Sequence, residues 1–169
     1  ETGDLMKYLT LIRHGKSSWN MEALQDFERP LSARGWRDSP RMADLFAGYE
    51  QQPDQWVSSF ATRALTTARI FAHHLNYPVE KIVISEAVYE TDAGSLLEFL
   101  RTAFPASKHL AVFGHNPGLE DLAQSLCPNE IKSLPTCSIL QLKLDIKQWS
   151  ELAPDCATLE RFDFPKKFR

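Results

Sequence analysis

Apolar runs alternate with helical patterns along most of this chain, and that alternation constrains its fold more than any other feature. Residues 7–13 read as a strand whose apolar run, Tyr8 to Ile12, is buried. Residues 31–47 read as a helix capped by Ser32, with Met42, Leu45 and Phe46 on one face. A short strand at 56–59 precedes a helix at 62–75, whose Leu65, Ala68, Ile70, Ala72 and Leu75 point mostly inward. Residues 81–85 then read as strand, 95–104 as helix, 110–113 as strand and 118–126 as helix. Two late strands of antiparallel character are expected at 138–144 and 158–164. The order predicts a mainly parallel sheet with helices on both faces, a three-layer α/β/α sandwich.

The 169 residues suit one domain. The most loop-like stretches, 128–135 and 148–155, are too short to be linkers, so residues 6–169 are expected to form a single domain. Met6 reads as the natural start, with residues 1–5 an added leader outside the fold. A net charge of −3 gives no reason to expect nucleic acid or an acidic membrane as partner. No apolar run approaches the roughly 20 residues that span a bilayer, and no signal-peptide core is read at the N-terminus. Cys127, Cys137 and Cys156 are odd in number and lack metal-ligand spacing. They fit a reducing cytoplasm and small half-buried thiols, and no metal or cofactor is expected.

The chemistry collects at the predicted strand ends. Strand one runs into Arg13-His14-Gly15, with Ser17 and Asn20 following. Strand two ends in Ser58-Ser59, ahead of Thr62-Arg63 at a helix start. The strand at 110–113 runs into Gly114-His115-Asn116-Pro117, and the strand at 81–85 leads to Tyr89-Glu90-Thr91. Carboxyl ends of parallel strands share one edge, so Arg13, His14, Arg63 and His115 are expected to converge there.

That set suits a phosphate. A phosphate monoester carries about two negative charges near neutral pH, and these repel a nucleophile. Two arginines offset the charge, and their planar forks match phosphate oxygens. Backbone N–H groups at a helix start, near Arg63 or after Asn116, add donors. A neutral His14 nitrogen can attack phosphorus if a backbone carbonyl accepts from the other nitrogen and holds one tautomer. A covalent intermediate then divides one hard step into two easier ones.

With these motifs assembled, the chain resembles the histidine phosphatase superfamily, which has the phosphoglycerate mutase-like fold. Within it the chain is most similar to the small SixA-like branch of phosphohistidine phosphatases. LIRHGKSSWN, ERPLSARG, VSSFATRALTTA, VYET and VFGHNPGL carry the likeness, and the ending FDFPKK extends it over nearly the whole chain. The resemblance implies that His14 is the phosphorylated nucleophile and that Arg13, Arg63 and His115 complete the phosphate pocket. It places Asn20 at a phosphate-contacting position, and the backbone N–H of Asn116 is expected as a further donor. It implies a phosphorylated substrate, with a histidine-phosphorylated protein preferred and a small phosphomonoester or sugar phosphate as the alternative. A catalytically silent phosphate-binding module is the alternative from another class.

Two departures stand out. Phe60 occupies a position where the family commonly has proline. Glu90 sits where larger members carry a proton-donating acid, but Glu90-Thr91-Asp92-Ala93-Gly94 matches their Glu-x-x-x-Gly pattern only loosely. Glu90 is the acid candidate ahead of Asp26 and Glu28, with a solvated loop carboxylate as the alternative reading. Arg29 is expected to pack or position the following helix rather than to act catalytically. His73, His74, His109, Arg34 and Arg37 read as surface residues. The four tryptophans read as packing, with Trp19 near the pocket. Gly15-Lys16-Ser17 after a strand suggests a P-loop, but that motif needs a glycine at position 10, where Thr10 stands.

Overall fold

The computed structural model describes residues 6–168, so the expectation for residues 1–5 lies outside the described residues. Six strands form one mixed sheet: β1 (Lys7–Arg13), β2 (Gln55–Ser58), β3 (Val83–Ile84), β4 (His109–Gly114), β5 (Ile139–Leu144) and β6 (Ala157–Asp163). Their spatial order is β3-β2-β4-β1-β5-β6. The β3-β2-β4-β1 half is parallel, and β5 pairs antiparallel with both β1 and β6.

Side chains on a strand alternate between faces, and here the alternation divides two cores. Leu9, Leu11, Leu110, Val112, Leu140 and Leu142 face one side, where they meet Leu96 and Leu100 of α3 (Ala93–Thr102) and Leu119 and Leu122 of α4 (Gly118–Leu126). Ile12, Ala111, Phe113 and Ile139 face the other. There they meet Met42 and Phe46 of α1 (Ala33–Ala47) and Ala68 and Phe71 of α2 (Thr62–Leu75). Strands covered on both faces read as continuous apolar runs, which is how β1 and β4 read. Each fully buried leucine contributes about 1.5–3 kcal/mol relative to exposure.

Local chemistry explains most element ends. Ser32 Oγ accepts from Gly35 N–H at 3.2 Å and starts α1, and Asn76 ends α2 at φ 56°, a left-handed conformation that asparagine tolerates. Gly15 has a steric reason: a Cβ there would lie 2.7 Å from Ser39 Oγ on α1. The end of β1 can therefore press against that helix only without a side chain.

Two expectations need correction. The strand expected at 81–85 shrinks to Val83–Ile84, preceded by a 3-10 turn at Val79–Lys81. It is an exposed edge strand that pairs only with β2, so little tertiary pressure extends it. His109, expected at the surface, is the first residue of β4 and is buried. Thr10 Oγ1 lies 2.6 Å from its Nε2, and Gln141 Nε2 donates to the same hydroxyl at 3.1 Å.

Candidate active site

Register brings the two histidines together. Arg13 on β1 lies opposite Gly114 on β4, so His14 and His115 leave their strands at the same level. Their ring centroids are 5.1 Å apart. Ser58 lies opposite Phe113, which places Ser59 beside them and Arg63 in the first turn of α2 above. Arg13, His14, Arg63, His115 and Asn116, with Lys16, Ser17, Arg29 and Thr136, line one hollow of about 280 Å³. Arg63, His115 and Asn116 are shared with a wider vestibule of about 540 Å³ that also holds Asp26, Tyr89 and Glu90.

His14 is the most tightly specified of these side chains. Its Nδ1 lies 2.7 Å from Gly15 O. A carbonyl only accepts, so Nδ1 carries the proton and Nε2 the lone pair. Burial, then the neighbouring His115, Arg63 and Arg13, depress its pKa to about 3 against the opposing pull of the Gly15 carbonyl. The ring is therefore neutral at physiological pH. His115 is likewise depressed to about 4, first by burial and then by Arg63. Its Nε2 lies 2.8 Å from Ser59 Oγ, while its Nδ1 is buried with no hydrogen-bond partner among the described residues.

The cations are held from behind. Arg13 Nη1 donates to Leu134 O at 2.8 Å, and Asn116 Nδ2 donates to the same carbonyl at 3.0 Å. Glu120 anchors that loop by accepting from Leu134 N–H at 2.7 Å. Arg63 Nη1 donates to Asp26 O at 2.7 Å, and Nη2 to Asp26 Oδ2 at 2.9 Å. Thr67 Oγ1 accepts from Gly15 N–H at 3.0 Å and donates to Arg63 O at 2.7 Å.

Two expected members stand apart from the hollow. Asn20 is exposed and does not line it; its backbone N–H donates to Ser18 Oγ at 3.2 Å. Glu90 is exposed at the vestibule, with φ 46°. Asp26, a weaker acid candidate in the sequence, instead accepts from Arg29, Arg63 and Tyr89. Burial alone would raise its pKa, but those hydrogen bonds hold the carboxyl well below the usual carboxylate range. A group so strongly ionised is a poor proton donor. Arg29 is buried, donates to Ser17 Oγ and Ser18 O, and lies under the Trp19 ring. Phe60 packs between Phe27 and Tyr89. Ser59 stands at the polar strand end that the sequence points to, whereas Thr67 and the Leu134 carbonyl lie outside the predicted strand ends. Thr67 does belong to the Arg-Ala-x-x-Thr-Ala pattern that begins at Arg63.

Arg34, Arg37 and His73 are exposed, and His74 Nδ1 lies 2.5 Å from Asp44 at the surface. Trp56 and Trp149 are core residues, whereas Trp19 and Trp36 are exposed. No group of three or more histidine, cysteine, aspartate or glutamate side chains suited to a metal ion occurs among the described residues. None of their helices is long and apolar enough to cross a membrane.

A family model described as histidine phosphatase superfamily (branch 1) matches residues 9–116, which include all four converging side chains. This chain belongs to the histidine phosphatase superfamily. Among curated relatives, an uncharacterized chloroplastic protein of Arabidopsis thaliana is 30% identical over 155 residues, covering 87% of this chain and 71% of its own. The phosphohistidine phosphatase SixA of Escherichia coli is 27% identical over 131 residues, covering 77% and 80%. In fold, the chain is similar to the solved structure of the protein histidine phosphatase SixA complexed with tungstate. The TM-score is 0.80 at 23% identity, covering 96% of this chain and 99% of that one. The six-stranded sheet with helices on both faces is thus the histidine phosphatase fold.

Proposed function

We propose that this protein is a phosphatase that works through a phosphohistidine intermediate on His14, with protein-bound phosphohistidine as its preferred substrate. One observation carries the reading: a neutral His14, its Nδ1 held by Gly15 O, turns its Nε2 lone pair into a hollow lined by Arg13 and Arg63. The SixA relative supports the substrate preference.

In the first step His14 Nε2 bonds to phosphorus as the bond to the leaving group breaks. Arg13, Arg63 and the backbone N–H of Asn116 stabilise the charge on the equatorial oxygens. His115, whose Nε2 lies 2.8 Å from Ser59 Oγ, lines the hollow as a further donor to the phosphoryl group. In the second step water attacks phosphorus, the N–P bond breaks, and orthophosphate and neutral His14 are released. Glu90, at the vestibule, gives a proton to the leaving group and takes one from the water. Phosphohistidine leaves as imidazole, a better leaving group than an alkoxide, so it depends less on that acid. No metal takes part in this scheme, and the free thiols of Cys127, Cys137 and Cys156 suit a reducing cytoplasm.

The test combines an acid-labile phosphoenzyme trap with turnover of an aryl phosphate, a phosphohistidine peptide and a phosphoserine peptide. Wild type should trap the intermediate and release phosphate faster from phosphohistidine than from phosphoserine. His14→Ala should trap nothing and lose about 10³-fold or more in kcat. Turnover that survives His14→Ala removes the mechanism; faster release from phosphoserine removes the substrate preference. Retained phosphate affinity without turnover by wild type would identify a silent binding module.

A further inference from the structure

The segment between β1 and α1 contains a carboxylate that the mechanism above does not use. Asp26 opens a single 3-10 turn, Asp26–Glu28, and its oxygens meet three side chains that line the site. Arg63 reaches it twice, through the backbone carbonyl at 2.7 Å and through Oδ2 at 2.9 Å. Tyr89 donates its hydroxyl to Oδ2 at 2.7 Å, and Arg29 Nη1 donates to Oδ1 at 2.9 Å. Each partner also touches the hollow or its wall. Arg63 lines it, Arg29 lines it and holds Ser17, and the Tyr89 ring stands edge-on to His115 at 5.4 Å. Phe27, the next residue, packs on Phe60, which follows Ser59.

An arginine fork offers five N–H donors in one plane. Two bonds to a single residue fix the orientation of that plane, and the remaining donors of Arg63 then face a phosphate without further ordering. A lone guanidinium on a flexible stem would have to be immobilised anew in each catalytic cycle. The carboxylate also offsets part of the positive charge that Arg13, Arg29 and Arg63 concentrate around the hollow.

We propose that Asp26 is a positioning residue: it orients Arg63 for the transferring phosphoryl group and ties Tyr89 and Arg29 to the same wall, without touching the substrate. This rests on the phosphatase reading above. It separates two properties that a purely structural residue would change together. Loss of the carboxylate leaves the cations in place to bind an anion but leaves the fork held on that side by the main-chain carbonyl alone, so turnover suffers more than anion affinity.

The experiment compares wild type, Asp26→Asn, Tyr89→Phe and His14→Ala for kcat on an aryl phosphate, tungstate affinity and thermal midpoint. Asp26→Asn should lower kcat by about 10- to 100-fold with tungstate affinity within about threefold. Tyr89→Phe, which removes one bond and leaves the fork paired, should lower kcat by about two- to fivefold. In wild type, the side-chain nitrogen resonances of Arg63 should show restricted Nη rotation. This readout holds even if Asp26→Asn fails to fold. Freely rotating Nη groups in wild type, or wild-type kcat in Asp26→Asn, overturns the proposal. So does a loss confined to tungstate affinity. These outcomes leave the phosphatase reading intact as long as His14→Ala is inactive. An active His14→Ala overturns that reading instead.

Discussion

Strand β4 begins at a buried imidazole and ends just before a half-buried one, and the two are treated in opposite ways. At the amino end, His109 has Nε2 2.6 Å from Thr10 Oγ1, and neither of its ring nitrogens is buried without a partner. At the carboxyl end, His115 has one nitrogen on Ser59 and the other unpaired. Arg13 Nε and Asn116 Oδ1 beside it are also buried without partners among the described residues. Burial depresses both histidines to about 4, so titration alone does not distinguish them. Hydrogen-bond saturation does. A buried polar group left unpaired costs about 1–3 kcal/mol, and the end of β4 bears that cost where the start of the strand does not.

His115→Ala offers the sharpest break in this comparison. It should lower kcat by about 10²–10³-fold while unfolding free energy changes by about 1 kcal/mol or less, as measured by steady-state turnover and denaturant titration. His109→Ala should do the reverse. It removes a buried hydrogen bond to Thr10 and leaves a cavity at the start of β4, which costs about 1–3 kcal/mol of stability, and kcat should stay within about twofold. A His109 variant that unfolds no more easily than wild type would dissolve the contrast.

Acid sharpens the same comparison. The folded pKa of His109, about 4, lies below its unfolded value of 6.5, so below pH 6.5 the unfolded chain takes up a proton that the folded chain refuses. Wild-type stability should therefore fall as pH drops from about 6.5 to about 4. The gap to His109→Ala should narrow by roughly 2 kcal/mol between pH 7 and pH 4.5. The smallest expected effect is at the vestibule: Glu90→Gln should slow an alkyl phosphate by about tenfold and phosphohistidine by less than about twofold. Equal slowing of both would argue against an acid role.

The same contrast shows what the residues revealed in one dimension. β1, α2 and α4 have the bounds their apolar patterns predict, because each is long and packed on a core face. The four converging side chains were legible because each follows directly on a readable strand or opens a readable helix. His109 was not, because a polar residue at the start of a strand looks the same whether water or Thr10 awaits it. Asp26 shows the limit more clearly. Its bond to Arg29 spans three positions and its bonds to Arg63 and Tyr89 span 37 and 63, and no local pattern reports partners at that range. Asn20 fails for the converse reason: the likeness to a motif fixes a residue's place in the chain but not where its loop carries it.

The hydroxyl of Thr67 links the backbone beside His14 to the backbone carbonyl of Arg63. The attacking atom and anion clamp of the proposed mechanism thus belong to one unit, built from a strand end and a helix start. The loops that frame the entrance are attached to that unit rather than part of it. A change of length or chemistry in those loops would alter which molecules gain entry without moving the Thr67 link between the two backbones.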